Sequence, residues 1–405
     1  MKVAFIFLHP FSESMGSVVR VRELSLSLGK LGVEVFIFTP FERSFDLSAN
    51  VHVVSVGNFF GFSRGFYKLS RFFYYNRMFP TLFSKGGLRS RRVLSGFLRK
   101  VAKFLSESGV DVVQVEQDVA LPVGVFLKKV TGLPLVVDLH NLSSEELVAA
   151  GILERDSGGF LDLQCRTAEF LDGADRVVVV SELMKSYVVG NYGLSRACVV
   201  VVPPGGRVLV DEGIVKMRVK PFKVVYAGLV AYREHVDLFV RSMPFVKGFG
   251  DGKVQFFITN KGEALKEIKR LAGRLGVCPR FFWFDDYGMV NGFLSKCHVG
   301  VLPSSNDLAR RMGTPVKLFS YLSVGLPVVA NDIGGWTGII KEEHVGIVTS
   351  DDPKEFGEAL MDVLSDSKAM QSYVTNCLEL IKKKYNWDES ARVLLGIYRG
   401  LTGKG

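Results

Sequence analysis

The stretch 311–336, RMGTPVKLFSYLSVGLPVVANDIGGW, has the residue types and spacing of an anion-binding sheet edge. Gly313-Thr314-Pro315 opens a segment with helical spacing over 316–324, so the first-turn amides are available to an anion. Residues 327–330 predict a short buried strand, and 331–335 turns the chain at its carboxyl end. Ligands bind at this edge of open α/β sheets because helix N-termini and loop amides stabilise negative charge there. The same pattern is also typical of an ordinary α/β unit with a glycine turn.

Two further segments carry residues suited to ligand binding. Residues 133–139 predict a buried strand, and the polar residues Asp138, His140 and Asn141 lie at its carboxyl end. His140 is suited to contacting a sugar hydroxyl or to acid-base chemistry, although a histidine satisfied by local hydrogen bonds is a common alternative. Gly16 and Ser17 end a small-residue loop after the first strand, where a ligand can approach the backbone closely. A plain turn is the other interpretation of these two residues.

The elements that position these residues are strands alternating with helices, which predicts two α/β halves. In the first half the pattern predicts strands at 3–8, 33–39, 51–56, 110–115, 133–139, 176–180 and 198–202, with helices at 18–31, 121–131, 160–171 and after a capping Ser181. In the second half it predicts strands at 222–228, 254–259, 280–283, 299–302, 327–330 and 346–348, with helices at 236–243, 263–275, 290–295, 316–324, 353–364, 368–384 and 387–401.

A sharp break divides these halves. Pro203-Pro204-Gly205-Gly206 interrupts the alternation, and the residues that follow have little periodicity. We therefore expect an N-terminal Rossmann-like domain over 1–205, a linker over 206–221 and a second Rossmann-like domain over 222–385. Residues 386–405 form a last helix that crosses back towards the first domain.

Composition limits the class of protein. A chain of 405 residues with 48% hydrophobic and 23% charged residues can bury a large core, which excludes a disordered protein. No apolar run reaches membrane-spanning length, and His9-Pro10 ends the first apolar run too early for a signal sequence, so we expect a cytoplasmic protein. The five cysteines lack the paired spacing of zinc or redox sites, and we expect buried free thiols at Cys165, Cys198, Cys278, Cys297 and Cys377.

The formal net charge of +10 is concentrated in the segment 59–104. No acidic residue occurs between Asp46 and Glu107, and basic residues alternate with aromatic ones there. Basic side chains pair with lipid phosphates and aromatic rings settle at the headgroup boundary, which predicts an anionic membrane surface as a partner at the inner face of the membrane. A solvated charged face over an aromatic core is a second interpretation, and single-stranded nucleic acid is the least favoured.

The order of motifs along the chain resembles the GT-B fold glycosyltransferases, specifically the retaining, nucleotide-sugar-dependent glycosyltransferase family 4 (glycosyl transferases group 1). The matching segments are LGVEVFIFTP, VVDLHN, ADRVVVVSE, VVYAGLV, VGVLPSS, KLFSYLSVGLPVVANDIGGW and KKYNWDESARVLLGIY. The resemblance implies an α/β fold with two Rossmann-like domains that face each other across a cleft. The first domain would bind the acceptor and the second the nucleotide-sugar donor, with the C-terminal helix crossing back to the first domain.

The resemblance also implies roles for individual residues. His140 matches the histidine that contacts the donor sugar near the reacting carbon. Leu229 and Glu234 stand where the family usually has an Arg and a Lys for the diphosphate, so Arg233 is the cation that remains in this loop. Lys317 matches the lysine of a Pro-x-Lys-Leu-Phe helix start and is a second phosphate contact. Further donor-binding residues are implied at Gly16, Ser17, Gly228, Gly313, Thr314, Pro315, Val316 and Ser320.

Two family glutamates are replaced, by Met312 and Ser320. A serine hydroxyl binds ribose less strongly than a carboxylate does, and the polar residues that could compensate are Asp307, Arg310 and Arg311. The sequence has no Asp-x-Asp motif to hold Mg²⁺, which agrees with the family's metal-independent chemistry. We expect no cofactor apart from the nucleotide sugar, for which the resemblance favours a UDP or GDP linkage over an ADP linkage.

These features predict a retaining, metal-independent, hexosyltransferase-type glycosyltransferase in glycan biosynthesis. It would move a sugar from a nucleotide sugar to a lipid-linked or phosphorylated acceptor, and cations and amides would stabilise the leaving diphosphate. A non-catalytic GT-B protein that binds a nucleotide or a partner through a degenerate donor site is the main alternative. A nucleotide-sugar epimerase of related architecture is another.

Overall fold

The computed structural model describes residues 1–9, 11, 16–39, 44–55, 88–210, 221–246, 253–284 and 287–404, without the side chains of 55, 88–97 and 287. The chain divides into two units, Met1–Pro203 with Asp388–Gly405, and Pro204–Trp387. Most of the basic aromatic segment 59–104, part of the predicted linker and part of the loop before Gly16 lie outside the described residues. The membrane-surface interpretation of that segment therefore stays a prediction.

The first unit contains a sheet of eight described strands in the order β3-β4-β2-β1-β5-β6-β7-β8. The strands are β1 Lys2–Ile6, β2 Glu34–Thr39, β3 Phe45–Ser48, β4 Val51–Ser55, β5 Val112–Glu116, β6 Leu135–Leu139, β7 Arg176–Val179 and β8 Val199–Val201. The helices are α1 Gly16–Lys30, α2 Leu88–Ser108, α3 Leu121–Thr131, α4 Ser143–Ala149, α5 Gly158–Asp172 and α6 Glu182–Tyr192. Every strand pairing is parallel except that of β3 with β4.

The local sequence explains these elements. Strands β5 and β6 consist mostly of Val and Leu and are buried along their whole length, including the polar residues Gln114, Glu116 and Asp138, as parallel strands covered on both faces require. Helix α6 begins after Ser181, whose hydroxyl accepts a hydrogen bond from the Met184 amide at 3.0 Å. The predicted cap is thereby confirmed. Because the strands are parallel, their carboxyl ends lie along one edge of the sheet.

The second unit contains a six-stranded parallel sheet in the order β11-β10-β9-β12-β13-β14. Its strands are β9 Phe222–Tyr226, β10 Val254–Thr259, β11 Arg280–Phe282, β12 Val299–Val301, β13 Val328–Asn331 and β14 Gly346–Thr349. Its helices are α7 Val236–Ser242, α8 Leu265–Arg274, α9 Tyr287–Leu294, α10 Leu308–Met312, α11 Val316–Leu322, α12 Thr337–Glu342, α13 Pro353–Ser365 and α14 Ser367–Lys383.

The core of the second unit has two layers, because successive strand residues point to opposite faces of the sheet. Val224 and Phe256 belong to a buried cluster with residues of α7, α8 and α13. Val225 and Phe257 belong to a second cluster with residues of α11 and α14. Both faces are therefore covered, and the loops at the carboxyl edge remain available to carry polar side chains.

The last helix, α15 Trp387–Thr402, belongs to the first unit from Asp388 onward. The Ser390 hydroxyl donates to the Pro203 carbonyl at 3.0 Å, and the Tyr398 hydroxyl donates to Gln114 Oε1 at 2.5 Å. The Ser27 hydroxyl donates to Asp388 at 2.6 Å. The prediction of a C-terminal helix that returns to the first domain is thereby confirmed.

The sequence pattern missed some secondary-structure elements and gave the wrong burial for some cysteines. The pattern did not predict the edge strand β3 or the helices α2, α10 and α12. The prediction of buried thiols is wrong for Cys165 and Cys278, which are exposed, while Cys297 and Cys377 are buried. Within the described parts of the chain, no helix combines the length and apolar character needed to cross a membrane.

Candidate functional site

Four charged side chains meet at the carboxyl edge of the second sheet, and we call them the Glu234 cluster: Arg233, Glu234, Arg310 and Lys317. The Glu234 carboxylate forms an ion pair with the Lys317 ammonium. Its other oxygen lies 3.7 Å from Arg310 Nη1 and 3.8 Å from Arg233 Nε. The side chains are 14% exposed at Glu234 and 31% exposed at Arg233, so these charges are only partly solvated. The structure thus brings Arg233, Lys317 and Arg310 together, three residues that the sequence analysis selected separately.

The end of β9 holds Lys317 in place. The Tyr226 hydroxyl accepts a hydrogen bond from Lys317 Nζ at 3.2 Å and donates one to the Leu229 carbonyl at 2.8 Å. The Lys317 ammonium also lies 4.9 Å from the centre of the Tyr226 ring, a favourable cation–π distance. A Cβ on Gly228 would lie 2.9 Å from Lys317 Nζ and 3.0 Å from the Tyr226 hydroxyl. A side chain at position 228 would therefore push the Lys317 ammonium away from Tyr226.

The three cations of the Glu234 cluster control the ionisation of the Glu234 carboxylate. Burial alone would raise the pKa of Glu234, but Lys317, Arg310 and Arg233 lower it to about 2. The carboxylate is therefore ionised at neutral pH, and three cations with one anion give the cluster a formal charge of +2. Burial and the Glu234 carboxylate raise the pKa of Tyr226, which keeps its hydroxyl protonated.

The residue after Glu234 links this loop to the segment that follows β14. His235 has a backbone φ of 50°, a left-handed conformation that is uncommon outside glycine. Its Nδ1 lies 3.0 Å from Asp237 and its Nε2 lies 2.8 Å from Asp351. The hydrogen bond to Asp237 raises the pKa of His235, and Asp351 adds to this against the opposing effect of burial.

Helix α10 presents Arg310, and Asp307 holds that helix. The Asp307 carboxylate caps α10 by accepting a hydrogen bond from the Arg310 amide at 2.9 Å, and it also accepts one from the Ser305 hydroxyl at 2.5 Å. Asp307 thus supports Arg310 rather than facing the ion pairs of the cluster. The Arg311 side chain is exposed. Of the three compensating residues proposed from the sequence, Arg310 is the one that belongs to the Glu234 cluster.

The predicted glycine turn packs against the end of α10. A Cβ on Gly335 would lie 2.1 Å from the Arg311 carbonyl oxygen, and the φ of Gly335 is +58°. Both the close approach and the left-handed conformation require glycine at this position.

The other predicted donor-binding residues lie before and within α11. Gly313, Thr314, Pro315 and Val316 are half-buried, and α11 begins at Val316. Ser320 lies one helical turn after Val316 and Lys317. Its hydroxyl donates a hydrogen bond to the Val316 carbonyl at 3.2 Å. Met312 is 1% exposed, so its apolar side chain is buried at the end of α10.

The remaining predicted site residues belong to the first unit. His140 follows β6 and is 10% exposed, and its Nε2 lies 3.4 Å from an oxygen of Glu116 at the end of β5. Burial and the nearby Asp138 raise the pKa of Glu116. Gly16 and Ser17 form the first turn of α1.

Helix α1 is fixed to the sheet by a buried ion pair. Arg20 donates to both carboxylate oxygens of Asp138 at 2.9 and 3.1 Å and to the Val202 carbonyl at 3.0 Å. Both side chains of the pair are at most 1% exposed. This contact joins α1, the end of β6 and the segment after β8.

Sequence reasoning missed the contacts of Glu116, Arg20 and Glu234. Glu116 could have been noticed because it ends an apolar strand pattern, the same signal that led to His140. Glu234 was noticed only as a substitution, without its ion pairs. Within the described ranges, no three His, Cys, Asp or Glu side chains are grouped so as to hold a metal ion.

Comparison with known families finds two matches that together span most of the chain. The description "Glycosyltransferase Family 4" matches residues 15–206, and "Glycosyl transferases group 1" matches residues 221–366. His140 lies in the first match and the whole Glu234 cluster lies in the second.

Individual relatives are distant. An uncharacterized glycosyltransferase of Methanocaldococcus jannaschii is 26% identical over 182 residues, 44% of this chain and 44% of the relative. The D-inositol 3-phosphate glycosyltransferase of Paenarthrobacter aurescens is 22% identical over 308 residues, 68% of this chain and 69% of the relative. The chain therefore matches less than half the length of the first relative.

Solved structures show the fold. Sucrose-phosphate synthase of Thermosynechococcus elongatus has a TM-score of 0.76 and 18% identity, with both chains covered completely. Anabaena HepE in complex with UDP-glucose has a TM-score of 0.68 and 13% identity, over 99% of this chain and 100% of that one. The predicted α/β fold of GT-B type is thereby confirmed.

Proposed function

The chain belongs to the group 1 glycosyl transferases of glycosyltransferase family 4, and from that premise we propose that it transfers a sugar from a nucleotide-sugar donor to a lipid-linked or phosphorylated acceptor. The donor carries UDP or GDP rather than ADP. The transfer retains the anomeric configuration and needs no metal. The protein works in the cytoplasm, at a membrane face.

The observation that carries this proposal is the Glu234 cluster. Transfer of a sugar leaves negative charge on the departing diphosphate, so the catalyst needs positive charge fixed where that group leaves. Arg233, Arg310 and Lys317 supply three cations at the carboxyl edge of the second sheet, within the region matched by the group 1 family. In this proposal they perform the neutralisation for which other sugar transferases use a metal, and the absence of an Asp-x-Asp motif from the sequence supports it.

The acceptor class rests on two other observations. The name of the Paenarthrobacter relative specifies a phosphorylated acceptor, D-inositol 3-phosphate. The basic aromatic segment 59–104 has the composition of a surface that meets lipid phosphates. His140, beside Glu116, supplies a polar group at the sheet edge of the first unit for the transferred sugar. Retention of configuration rests on the family resemblance.

A transfer assay tests the proposal. The wild-type protein is incubated in EDTA with UDP-, GDP- and ADP-linked sugars and with lipid-linked and phosphorylated acceptors, and product is analysed by mass spectrometry and by NMR of the anomeric proton. Lys317→Met should reduce turnover by about 100-fold or more, because it removes a cation from the leaving group. Lys383→Met removes an exposed cation from α14 and is the matched control. Absence of product with every donor and acceptor would refute the proposal.

Two residue replacements favour a second candidate function. A carboxylate stands in the loop position where the family usually carries a lysine, and Met312 is buried in place of a glutamate. A non-catalytic protein that binds a nucleotide would tolerate both changes. It would bind nucleoside diphosphates without consuming any nucleotide sugar, and the same assay separates it from an enzyme.

A further inference from the structure

The Glu234 cluster contains an anion at the place where the proposed donor needs only cations. The Glu234 carboxylate is ion-paired with Lys317 and lies within 3.8 Å of nitrogen atoms of Arg310 and Arg233. A diphosphate bound by the same three cations would compete with this carboxylate for them. A second anion placed beside the first would also be repelled, since both are partly shielded from water.

We propose that Glu234 is an internal counter-anion that occupies the diphosphate position of the empty donor site, that the donor displaces it, and that its return weakens the hold on the product nucleotide. This inference rests on the proposed function, because it assumes that the cluster is the donor diphosphate site. It concerns regulation of binding at that site and assigns no bond-making step to Glu234.

Lys317 and Arg310 are carried by helices outside the turn that carries Glu234, whereas Arg233 shares that turn with Glu234. Lys317 is positioned by the Tyr226 hydroxyl and ring, and Arg310 is carried by a helix that Asp307 caps. The Arg233 carbonyl accepts a hydrogen bond from the Ser305 hydroxyl at 2.9 Å. Removal of the carboxylate should therefore leave the cations near their present positions, where they can still bind an anion.

The carboxylate stands on a short element that also carries Arg233. Glu234 ends a single helical turn, Tyr232–Glu234, and is followed by His235 in its left-handed conformation. No hydrogen bond caps this turn through a side chain. Rotation of the Glu234 side chain is therefore enough to uncover the cations, without movement of β9 or α11.

Charge matching gives the expected selectivity. With Glu234 ionised the cluster has a formal charge of +2, and without it the charge is +3. The diphosphate of a nucleotide sugar carries two negative charges, whereas the free nucleoside diphosphate gains a third as its terminal phosphate ionises near neutral pH. Loss of the Glu234 charge should therefore favour the product nucleotide more than the donor.

Calorimetric titration in EDTA tests this inference. Wild type, Glu234→Gln and the control Glu358→Gln, which removes an exposed carboxylate of α13, are titrated with inorganic pyrophosphate, UDP, UDP-glucose, GDP and GDP-mannose. Glu234→Gln should bind pyrophosphate about tenfold more tightly than wild type, with a larger gain for the free nucleotide than for its sugar conjugate. Glu358→Gln should match wild type. Unchanged or weaker binding by Glu234→Gln, or no binding by either protein, would overturn the inference.

A second variant covers the case in which Glu234→Gln does not fold. Glu234→Ala leaves room for a small carboxylate, so it is purified with formate and titrated with pyrophosphate as formate is varied. Formate should weaken pyrophosphate binding several-fold in Glu234→Ala and leave wild type unaffected. An equal effect of formate on both proteins, or none on either, would contradict displacement of a carboxylate.

These titrations measure anion binding and need no sugar transfer. Tighter binding by Glu234→Gln in a protein that transfers no sugar would support the counter-anion and refute the proposed function. Sugar transfer by wild type together with unchanged anion binding by Glu234→Gln would support the proposed function and refute the counter-anion.

Discussion

Protonation of Glu234 should weaken the second unit in acid, because the ion pairs of the Glu234 cluster are then lost. The cations of the cluster hold the pKa of Glu234 at about 2, below the ordinary value of 4.5. A carboxyl group whose pKa is lower in the folded state stabilises that state above its unfolded pKa, and the contribution is lost as pH falls through the folded pKa. The loss should therefore occur between about pH 4.5 and pH 2.

The magnitude follows from the difference between the two pKa values. A difference of about 2.5 units corresponds to about 3 kcal/mol of unfolding free energy at neutral pH. At pH 3 the folded carboxyl is still mostly ionised and the unfolded one is protonated, so about 2 kcal/mol of this has been lost. Glu234→Gln lacks the titrating group, and the difference between wild type and this variant isolates the contribution.

The assay uses the natural tryptophans. Trp283, Trp336 and Trp387 are the three tryptophans of the sequence and all lie in the second unit. Urea unfolding followed by tryptophan fluorescence therefore reports on this unit, and it is measured at pH 6 and pH 3 for wild type, Glu234→Gln and Glu358→Gln. The stability difference between wild type and Glu234→Gln should shrink by about 2 kcal/mol from pH 6 to pH 3. A difference that is equal at both pH values would show that the cations do not stabilise the Glu234 carboxylate.

Three further predictions concern other parts of the structure. Arg20→Met should lower the free energy of unfolding by about 3–5 kcal/mol, because it leaves the buried Asp138 carboxylate unpaired. The control Lys30→Met removes an exposed cation from the same helix and should lower it by less than about 1 kcal/mol. Urea unfolding followed by circular dichroism measures both variants. Gly335→Ala should lower the free energy of unfolding by more than about 2 kcal/mol, because of its close backbone contact and positive φ. Gly396→Ala, whose new Cβ would have no described atom within 4 Å outside its own stretch of helix, should instead stabilise α15 by up to about 1 kcal/mol. Thermal unfolding measures both, and stability changes of the same sign would contradict this prediction. Because the pKa of His235 is raised, its charged form adds stability below about pH 6.5, and this stability is lost as pH rises through the folded pKa. The stability difference between wild type and His235→Asn should therefore shrink from pH 6 to pH 9. A difference that grows with pH would show that the pKa of His235 is not raised by folding.

Much of the fold was predictable because parallel strands leave a clear pattern. Runs such as 254–259 are mostly apolar and are bounded by polar loops, so the strand was predicted with its observed limits, Val254–Thr259. Strand β3, FDLS, was missed because it is a short, mostly exposed edge strand in which no apolar run develops. Helix α10 was missed because five residues carry too little periodicity to be recognised.

The candidate site was less predictable, because its contacts join distant parts of the chain. Lys317 and Glu234 are 83 residues apart, and Arg20 and Asp138 are 118 residues apart. The sequence places Lys317 at a helix start and Glu234 in a loop after a strand, both at the same sheet edge. Which loop side chains then form ion pairs depends on the loop conformation, and no periodic pattern encodes that.

The most direct test of the central claim, that the second unit binds the donor diphosphate through the Glu234 cluster, is a metal-free calorimetric titration of wild type and Lys317→Met with UDP, GDP and ADP. We expect roughly micromolar binding of UDP or GDP by wild type, and at least about tenfold weaker binding by Lys317→Met. Equal affinity of both proteins for the nucleotide, or no binding of any nucleotide by wild type, would contradict the claim.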